Sequence, residues 1–419
     1  MNEKTSITHL GIRSMPMKKL LQRAKQLEQE IISHRRYLHQ HPEIGLEMPI
    51  AYEYVTTKLV EMGYSPERIG GYGVAALVGG VNPGKTYLIR ADMDALPITE
   101  ETGLSFAAEN GCMHACGHDT HTAMLLGAAR ILKEVEDEIP GTVKIFFQTA
   151  EETLQGAREA IASGILENPN VDAAAMIHIL SGRSLPSGSV AMPIAGACYA
   201  SADWYHINVY GKGGHGAMSH TTISATNIIC AINDGIQEIM SVVIPRFEYS
   251  SMTVGCIQAG YAPNIIPETA SLSGTIRSFN EEVRAKIKSS LETMAEGVAK
   301  ARGGTATVHY TNMTPATIND KAARDIVAAA LRYALDENTV LDMAIYMDGK
   351  LGRTTGSEDF AYIAEKVPST VLFLNAGTPE EGYKYYAHNS RTDFREDVLY
   401  IGAASYAIAA LGWLAEQSE

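Results

Sequence analysis

Cysteine is scarce in this chain. There are five in 419 residues, an odd and scattered set, and that excludes a disulfide framework and points to a reducing compartment. Long hydrophobic runs are missing as well, and no stretch reaches the eighteen or so apolar residues that a bilayer span needs. The most apolar segment, YIGAASYAIAALGWLA (400–415), is short and interrupted by glycine, so it reads as a packed closing helix. Basic blocks are absent: 34 Lys and Arg stand against 48 Asp and Glu, for a net charge of −14. Nothing here offers a footprint for nucleic acid or an anionic membrane. The N-terminal MNEKTSITHLGIRSMPMKKLLQRAK lacks the apolar core of a secretory signal, so the expected location is the cytoplasm. No internal repeat or low-complexity tract occurs. What is present is a chain that is 46% hydrophobic, long enough for two domains or for one domain carrying an insertion.

The patterning changes twice along the chain. Residues 17–39 read as one charged amphipathic helix that ends near HPEIG, where Pro42 and Gly45 break it. Strand-like and helix-like segments then alternate: VAALVGG, TYLIRA, HTAMLLGAARILKEVEDEI, GTVKIFFQT, LQGAREAIASGILE and VDAAAMIHI. This spacing predicts a mixed, mainly parallel α/β sheet with helices on both faces. After about residue 193 the order becomes β-α-β-β-α-β, from ASADWYHINVYGKG through EEVRAKIKSSLETMAEGVAKARG to TATVHYTN. That order predicts an inserted α+β ferredoxin-like lid. The α/β texture resumes with AARDIVAAALRYAL and STVLFLNAG. The expected division is therefore 1–193 and 314–419 for the sheet domain, and 194–313 for the inserted one.

Chemistry concentrates in MHACGHDTH (113–121), where His114, Cys116, His118, Asp119 and His121 fall within nine residues. A thiolate and an imidazole two residues apart on a glycine-containing loop can face one ion, and borderline-soft metals such as zinc accept both. The apolar strand GTVKIFFQTAEE stops at Glu151 and Glu152. Functional crevices in open α/β sheets lie beyond the carboxyl ends of strands. A lone Glu-Glu pair reads first as a solvated acidic turn, and His178 in AAAMIHI reads first as a core histidine. His388 in YYAHNSRTDF reads first as a loop histidine. Taken together with Asp92 and Asp94 at the end of TYLIRADMDAL, these strand ends point to one polar site.

The same residues carry a resemblance. RRYLHQHPEIGLE, IRADMDALPITEETG, MHACGHDTHTAMLLGAARIL, FQTAEE, GKGGHGAMSH, NIIPETASLSGTIRSF, GSEDF and AHNS run in order over about residues 35–400. They are similar to the co-catalytic metallopeptidase family that includes aminoacylases, hippurate hydrolase and the plant auxin-conjugate amidohydrolases; the Cys-Gly-His-Asp form belongs to the amidohydrolase branch. The resemblance implies the metal-dependent peptidase type of fold. It also implies two divalent ions per chain (zinc or manganese, with cobalt or nickel as other occupants) held by Cys116, His118, Glu152, His178 and His388. It gives Glu151 as general base toward a two-metal-activated water and Asp94 as a supporting aspartate. His215, Asn264 and Arg277 would be lid residues that meet the substrate. His114, Asp119 and His121 are assigned supporting or helix-start roles, with Asp119 able to orient an imidazole.

The expected reaction is hydrolysis of the amide of a small N-acyl amino acid. A dipeptidase or an N-acetyl-diaminopimelate deacetylase would use the same site, and a metal-binding protein without turnover is the reading from another class. A homodimer through the lid is also implied. The sequence departs from the family's usual pattern at Ser390, where proline is common, and at Gly216 and Ser219 in HGAMSH. These changes bear on the substrate pocket and spare every expected ligand.

Overall fold

In the computed structural model the described residues are 17–336, 338–343 and 352–418. The principal elements run as follows. The first helices are α1 (Met17–Gln26), α2 (Glu28–Gln40) and α3 (Pro49–Glu61), followed by strands β1 (Glu67–Ile69), β2 (Gly73–Gly79) and β3 (Thr86–Asp92). Next come α4 (His118–Glu134), β4 (Thr142–Gln148), α5 (Gly156–Ala162), β5 (Ala173–Leu180) and β6 (Val190–Met192). A second group contains β7 (Ala202–Tyr210), α6 (Ala225–Glu238), β8 (Ser250–Ala259), β9 (Thr269–Ser278), α7 (Glu281–Ala301) and β10 (Thr305–Thr314). The chain closes with α8 (Lys321–Leu335), β11 (Val340–Asp342), β12 (Ser369–Asn375) and α9 (Leu399–Glu416).

Two compact units result. One comprises the described residues of Met1–Cys198, Ile318–Arg353 and Asp359–Glu419; the other comprises Tyr199–Thr317 and Thr354–Glu358. The first holds an eight-stranded sheet in the order β1-β2-β4-β3-β5-β12-β6-β11. Its centre is parallel: β4 with β3, β3 with β5, and β5 with β12. β3 and β12 are buried at every position, as continuous apolar strands covered on both faces must be. Helix α9 is long and apolar enough to cross a membrane by length and composition, but 89% of its most apolar window is buried inside this unit, where it packs on α4, α8 and α1.

Two helices differ from the sequence expectation. The single helix read over 17–39 is divided at Leu27, whose φ of −90° and ψ of 2° leave the α region. The helix read over 154–167 is confined to α5, because Leu154 (φ +57°) and Gly164 (φ +86°) lie in left-handed backbone on either side of it.

The second unit is a four-stranded antiparallel sheet in the order β8-β9-β7-β10. Numbered within the unit this is 2-3-1-4, the ferredoxin-like arrangement, with α6 and α7 in the two crossovers. Alternate residues of β7 (Tyr205, Ile207, Val209) face a core with Ile228, Ile232, Leu272, Ile287 and Leu291. Asp203, fully buried at one end of β7, is neutralised by Arg284 of α7 at 2.7 Å.

Candidate metal centre

The parallel strands deliver the polar residues to one edge of the sheet. Asp92 and Gln148 end β3 and β4 in register. His178 lies near the end of β5, opposite Phe373 of β12. Beyond β4 the chain makes a tight turn carrying Glu151 and Glu152, with Ala150 in left-handed backbone at φ +55°. Cys116 precedes Gly117, whose φ of +92° starts α4 at His118. A Cβ at Gly117 would stand 2.5 Å from Ile179 Cγ2 and 2.8 Å from Phe394 Cζ, so glycine lets the loop approach β5 closely. His388 also adopts left-handed backbone (φ +68°), and its N–H donates to Ala115 O at 2.9 Å. Its loop is pinned further along: Glu101 N–H donates to Ser390 O, while Ser390 Oγ and Arg391 Nε donate to the Glu101 carboxylate at 3.2 and 3.0 Å.

Five groups of donors, each with all its atoms within 4.8 Å of one another, occur among the described residues, and three of them draw only on Glu151 and the expected ligands: Cys116, His118 and His178; Cys116, Glu152 and His388; His118, Glu151 and Glu152. Cys116 Sγ is 3.5 Å from His178 Nε2, and Glu152 Oε2 is 3.4 Å from His388 Nε2. His118 Nε2 faces Glu152 Oε1 at 3.9 Å and Glu151 Oε2 at 4.0 Å. The structure thus brings Cys116, His118, Glu151, Glu152, His178 and His388 together, with Asp94 Oδ1 3.3 Å from His118 Nδ1.

Hydrogen bonds distinguish His121 from the histidines of the donor cluster. His121 Nδ1 meets Asp92 Oδ1 at 2.5 Å, and its Nε2 accepts from Ile179 N–H at 2.8 Å, so both nitrogens are occupied. His178 Nδ1 is satisfied by Ile179 O at 2.7 Å, which leaves the Nε2 lone pair toward Cys116. Among the described residues His118 Nε2 and Glu152 Oε1 are buried without a hydrogen-bond partner, while Asp94 Oδ1 faces His118 Nδ1. Such groups are costly unless something else compensates them, and a divalent cation does so. The donor set of thiol, imidazole and carboxylate fits a borderline-soft metal, and Asp94 behind His118 is the carboxylate–histidine arrangement that orients such ligands.

The donors shift one another's protonation strongly. Burial raises the Cys116 thiol above its ordinary range, and Glu152 adds to the effect. Burial also lowers His178, to about 3, with His121 contributing. Hydrogen bonding with Cys116, then with Glu152, lifts His388 to about 10. His118 is buried, which alone would lower it, but Asp92, Cys116 and Asp94 outweigh that and raise it.

The imidazole that Asp119 holds lies outside the donor cluster. Its Oδ2 binds His39 Nδ1 at 2.8 Å and Arg35 Nε at 3.1 Å, and His39 Nε2 reaches Glu100 at 3.1 Å. His114 is buried nearby, and burial lowers it to about 4. Sequence reasoning passed over Arg90, Gln148 and Asp359, which form a fully buried network under the Glu151–Glu152 turn. The run IRADMDAL offered a signal, because an arginine inside a strand that is otherwise apolar demands buried carboxylate partners.

In the second unit, His215 and Asn264 come together: His215 pairs with Ile265 in a short ladder, and Gly216 N–H donates to Asn264 O at 2.9 Å. Both side chains belong to exposed residues, and Ala217 N–H donates to His215 Nδ1 at 3.1 Å. Arg277 is half-buried on β9, and burial lowers it from its ordinary value.

Comparison with known proteins bears on this geometry. A thermostable carboxypeptidase of Saccharolobus solfataricus is 36% identical over 406 residues, 94% of this chain and 98% of its own. An N-acetylcysteine deacetylase of Bacillus subtilis is 31% identical over 402 residues, 92% of this chain and 97% of its own. The crystal structure of a dinuclear metal-binding peptidase of the M20 family from Bacillus subtilis superposes with a TM-score of 0.77 at 29% identity, covering 93% of this chain and 99% of that one. The model of peptidase family M20/M25/M40 matches residues 88–411, which include every residue of the donor cluster. With that match, and with relatives above 30% identity over nearly its whole length, the chain belongs to peptidase family M20/M25/M40, a family of metal-dependent amide hydrolases.

Proposed function

We propose that this enzyme hydrolyses the amide bond between an acyl group and an amino acid, at a centre of two divalent ions held by Cys116, His118, Glu152, His178 and His388. The carrying observation is the divergence of two adjacent carboxylates. Glu152 turns to His388 at 3.4 Å, while Glu151 sits 4.0 Å from His118 Nε2 and accepts Asp359 N–H at 3.4 Å. That divergence supports reading Glu152 as a ligand and Glu151 as a base beside the ligands. When bound, the two ions supply Lewis-acid polarisation of the amide carbonyl and ease deprotonation of water. Zinc suits the thiol and imidazoles best, and manganese, cobalt and nickel are the other candidates.

In this reading Glu151 takes a proton from the attacking water and delivers it to the departing amine. Asp94 orients His118. His215 donates to the developing oxyanion, and Arg277 with Asn264 receives the free carboxylate, for which a forked guanidinium is well shaped. The N-acetylcysteine deacetylase relative supports an N-acyl amino acid as substrate. The carboxypeptidase relative favours a second reading, cleavage of a peptide at its C-terminal residue with the same centre. Both readings keep a leaving amino acid with a free carboxylate. A dimer formed through the second unit, with its exposed edge strand β8, is part of the proposal.

The test is a substrate panel on metal-loaded protein: N-acetyl, N-benzoyl and longer acyl amino acids against dipeptides and C-terminally extended peptides, with bound metal counted by elemental analysis. Turnover of N-acyl amino acids with two ions per chain is expected. Turnover of peptides alone would transfer the proposal to the second reading, and activity that survives complete chelation would end both.

A further inference from the structure

The motif GSEDF (356–360) carried part of the family resemblance without a task for its aspartate. In the fold Asp359 is fully buried and its carboxylate is saturated with donors. Arg90 Nη2 reaches Oδ1 at 2.9 Å, Gln148 Nε2 reaches Oδ1 and Oδ2 at 2.7 and 2.9 Å, and Ala157 N–H reaches Oδ2 at 2.8 Å. Gln148 Oε1 in turn accepts from Arg90 Nε at 3.0 Å, and Arg90 Nη1 holds Asp92 at 2.7 Å.

The placement of these donors is informative. Gln148 is the last residue of β4 and Ala157 lies at the start of α5, so Asp359 ties together the two flanks of the turn that carries Glu151 and Glu152. That turn holds two non-glycine residues in left-handed backbone, Ala150 and Leu154, a conformation that persists only where the surroundings impose it. Asp359 also spends its own N–H on Glu151 Oε1 at 3.4 Å. Glu152 is steadied separately, through its N–H to Asp94 Oδ2 at 3.0 Å.

We infer that Asp359 is the positioning residue for Glu151: it clamps the turn through Gln148 and Ala157 and holds the Glu151 carboxylate through its backbone N–H, with Arg90 fixing Asp359 in place. This inference rests on the reading of Glu151 as the base. A purely structural ion pair would instead support the core without favouring one of the two glutamates.

The experiment is a double-mutant cycle in the full-length, metal-loaded enzyme, comparing Asp359→Asn, Glu151→Gln and the double variant. For Asp359→Asn the expected result is a kcat lower by roughly ten- to a hundredfold, as for groups that orient catalytic ones, with KM unchanged and both ions bound at unchanged affinity in calorimetric titration. The double variant should be no slower than Glu151→Gln alone, because a positioning residue has nothing left to position. An unchanged kcat in Asp359→Asn, a multiplicative loss in the double variant, or loss of metal in step with activity would each overturn the inference. If Asp359→Asn does not fold, Gln148→Met decides: it leaves the Arg90–Asp359 pair and should lower kcat several-fold, whereas an unchanged kcat overturns the inference. Glu151→Gln retaining full activity would instead defeat the reading of the base, an outcome distinct from a dead Glu151→Gln beside an intact Asp359→Asn.

Discussion

Glu151 and Glu152 are adjacent and of one type, yet their surroundings differ. Burial would raise Glu152, but hydrogen bonding with His388 and the charge of His118 lower it. On the proposed roles, Glu151→Gln should reduce turnover by roughly a hundredfold or more with both ions retained, because only the proposed proton acceptor is lost. Glu152→Gln should lose metal, and elemental analysis of the two purified variants checks the contrast. Gly117→Ala is a second residue-scale test. The new Cβ would meet Ile179 and Phe394 in backbone already unsuited to a side chain, so the loop bearing Cys116 must shift. A destabilisation of about 2 kcal/mol or more, read from denaturant melts, and weaker metal binding are expected. At this scale much was legible: a thiol and imidazole two residues apart, and paired carboxylates after an apolar strand, declare their chemistry locally. The partners that occupy both nitrogens of His121 were not legible. They are Asp92 and the Ile179 amide, 29 and 58 residues away in the chain.

Elements hold these residues by packing and by buried polar networks, of which the one around His39 is a second. Helix α2 contributes Arg35 and His39, α4 contributes Asp119, and the segment before the Cys116 loop contributes Glu100. His39 is buried, which works against its charge, yet hydrogen bonds to Asp119 and Glu100 raise it from 6.5 to about 9. The folded pKa exceeds the unfolded one, so the stabilisation is complete below pH 6.5 and is lost as pH rises through 9. Its size is on the order of 3 kcal/mol at most. The stability gap between wild type and His39→Gln should therefore narrow steadily between pH 6.5 and 9, and urea unfolding across that range tests it. A gap independent of pH would remove His39⁺ from the account. The contact between α9 and α4 makes a separate prediction. A Cβ at Gly402 would lie 2.0 Å from Met124 Sδ, so Gly402→Ala must displace Met124 and should cost about 1–3 kcal/mol by thermal melting. Periodicity located these helices well. It missed the break at Leu27 because apolar spacing continues across it: Leu20, Ala24, Leu27 and Ile31 are all buried.

For the whole molecule, metal and substrate supply the tests. Without ions His118 Nε2 and Glu152 Oε1 are buried with no hydrogen-bond partner, so chelation should lower the melting temperature of the enzyme. At a metal concentration one hundred times its Kd, the stabilisation regained is about 2.7 kcal/mol, and the midpoint should climb with added metal. A midpoint indifferent to metal would argue against the donor cluster as a binding site. For the proposed role of Arg277, an N-acyl amino acid should be cleaved far faster than its carboxamide. A lost charge pair is worth roughly 2–5 kcal/mol when its partner stays buried, and Arg277→Ala should erase the preference.

The sequence alone determined the class of chemistry and the order of elements. Donor types, strand-end placement and the period of apolar residues are properties of short windows, and short windows can be read directly. It also carried the family resemblance through motifs spread over most of the chain. Only the tertiary structure decided which donors lie within reach of one another, which histidine is spent on backbone and carboxylate, and that Arg90 and Asp359 lie beneath the Glu151–Glu152 turn. The Arg90–Asp359 ion pair joins residues 269 apart and Cys116–His178 joins residues 62 apart. Such pairs are set by strand register and by the approach of Gly117 to β5. Both follow from how the whole core packs, which no local pattern of residues encodes.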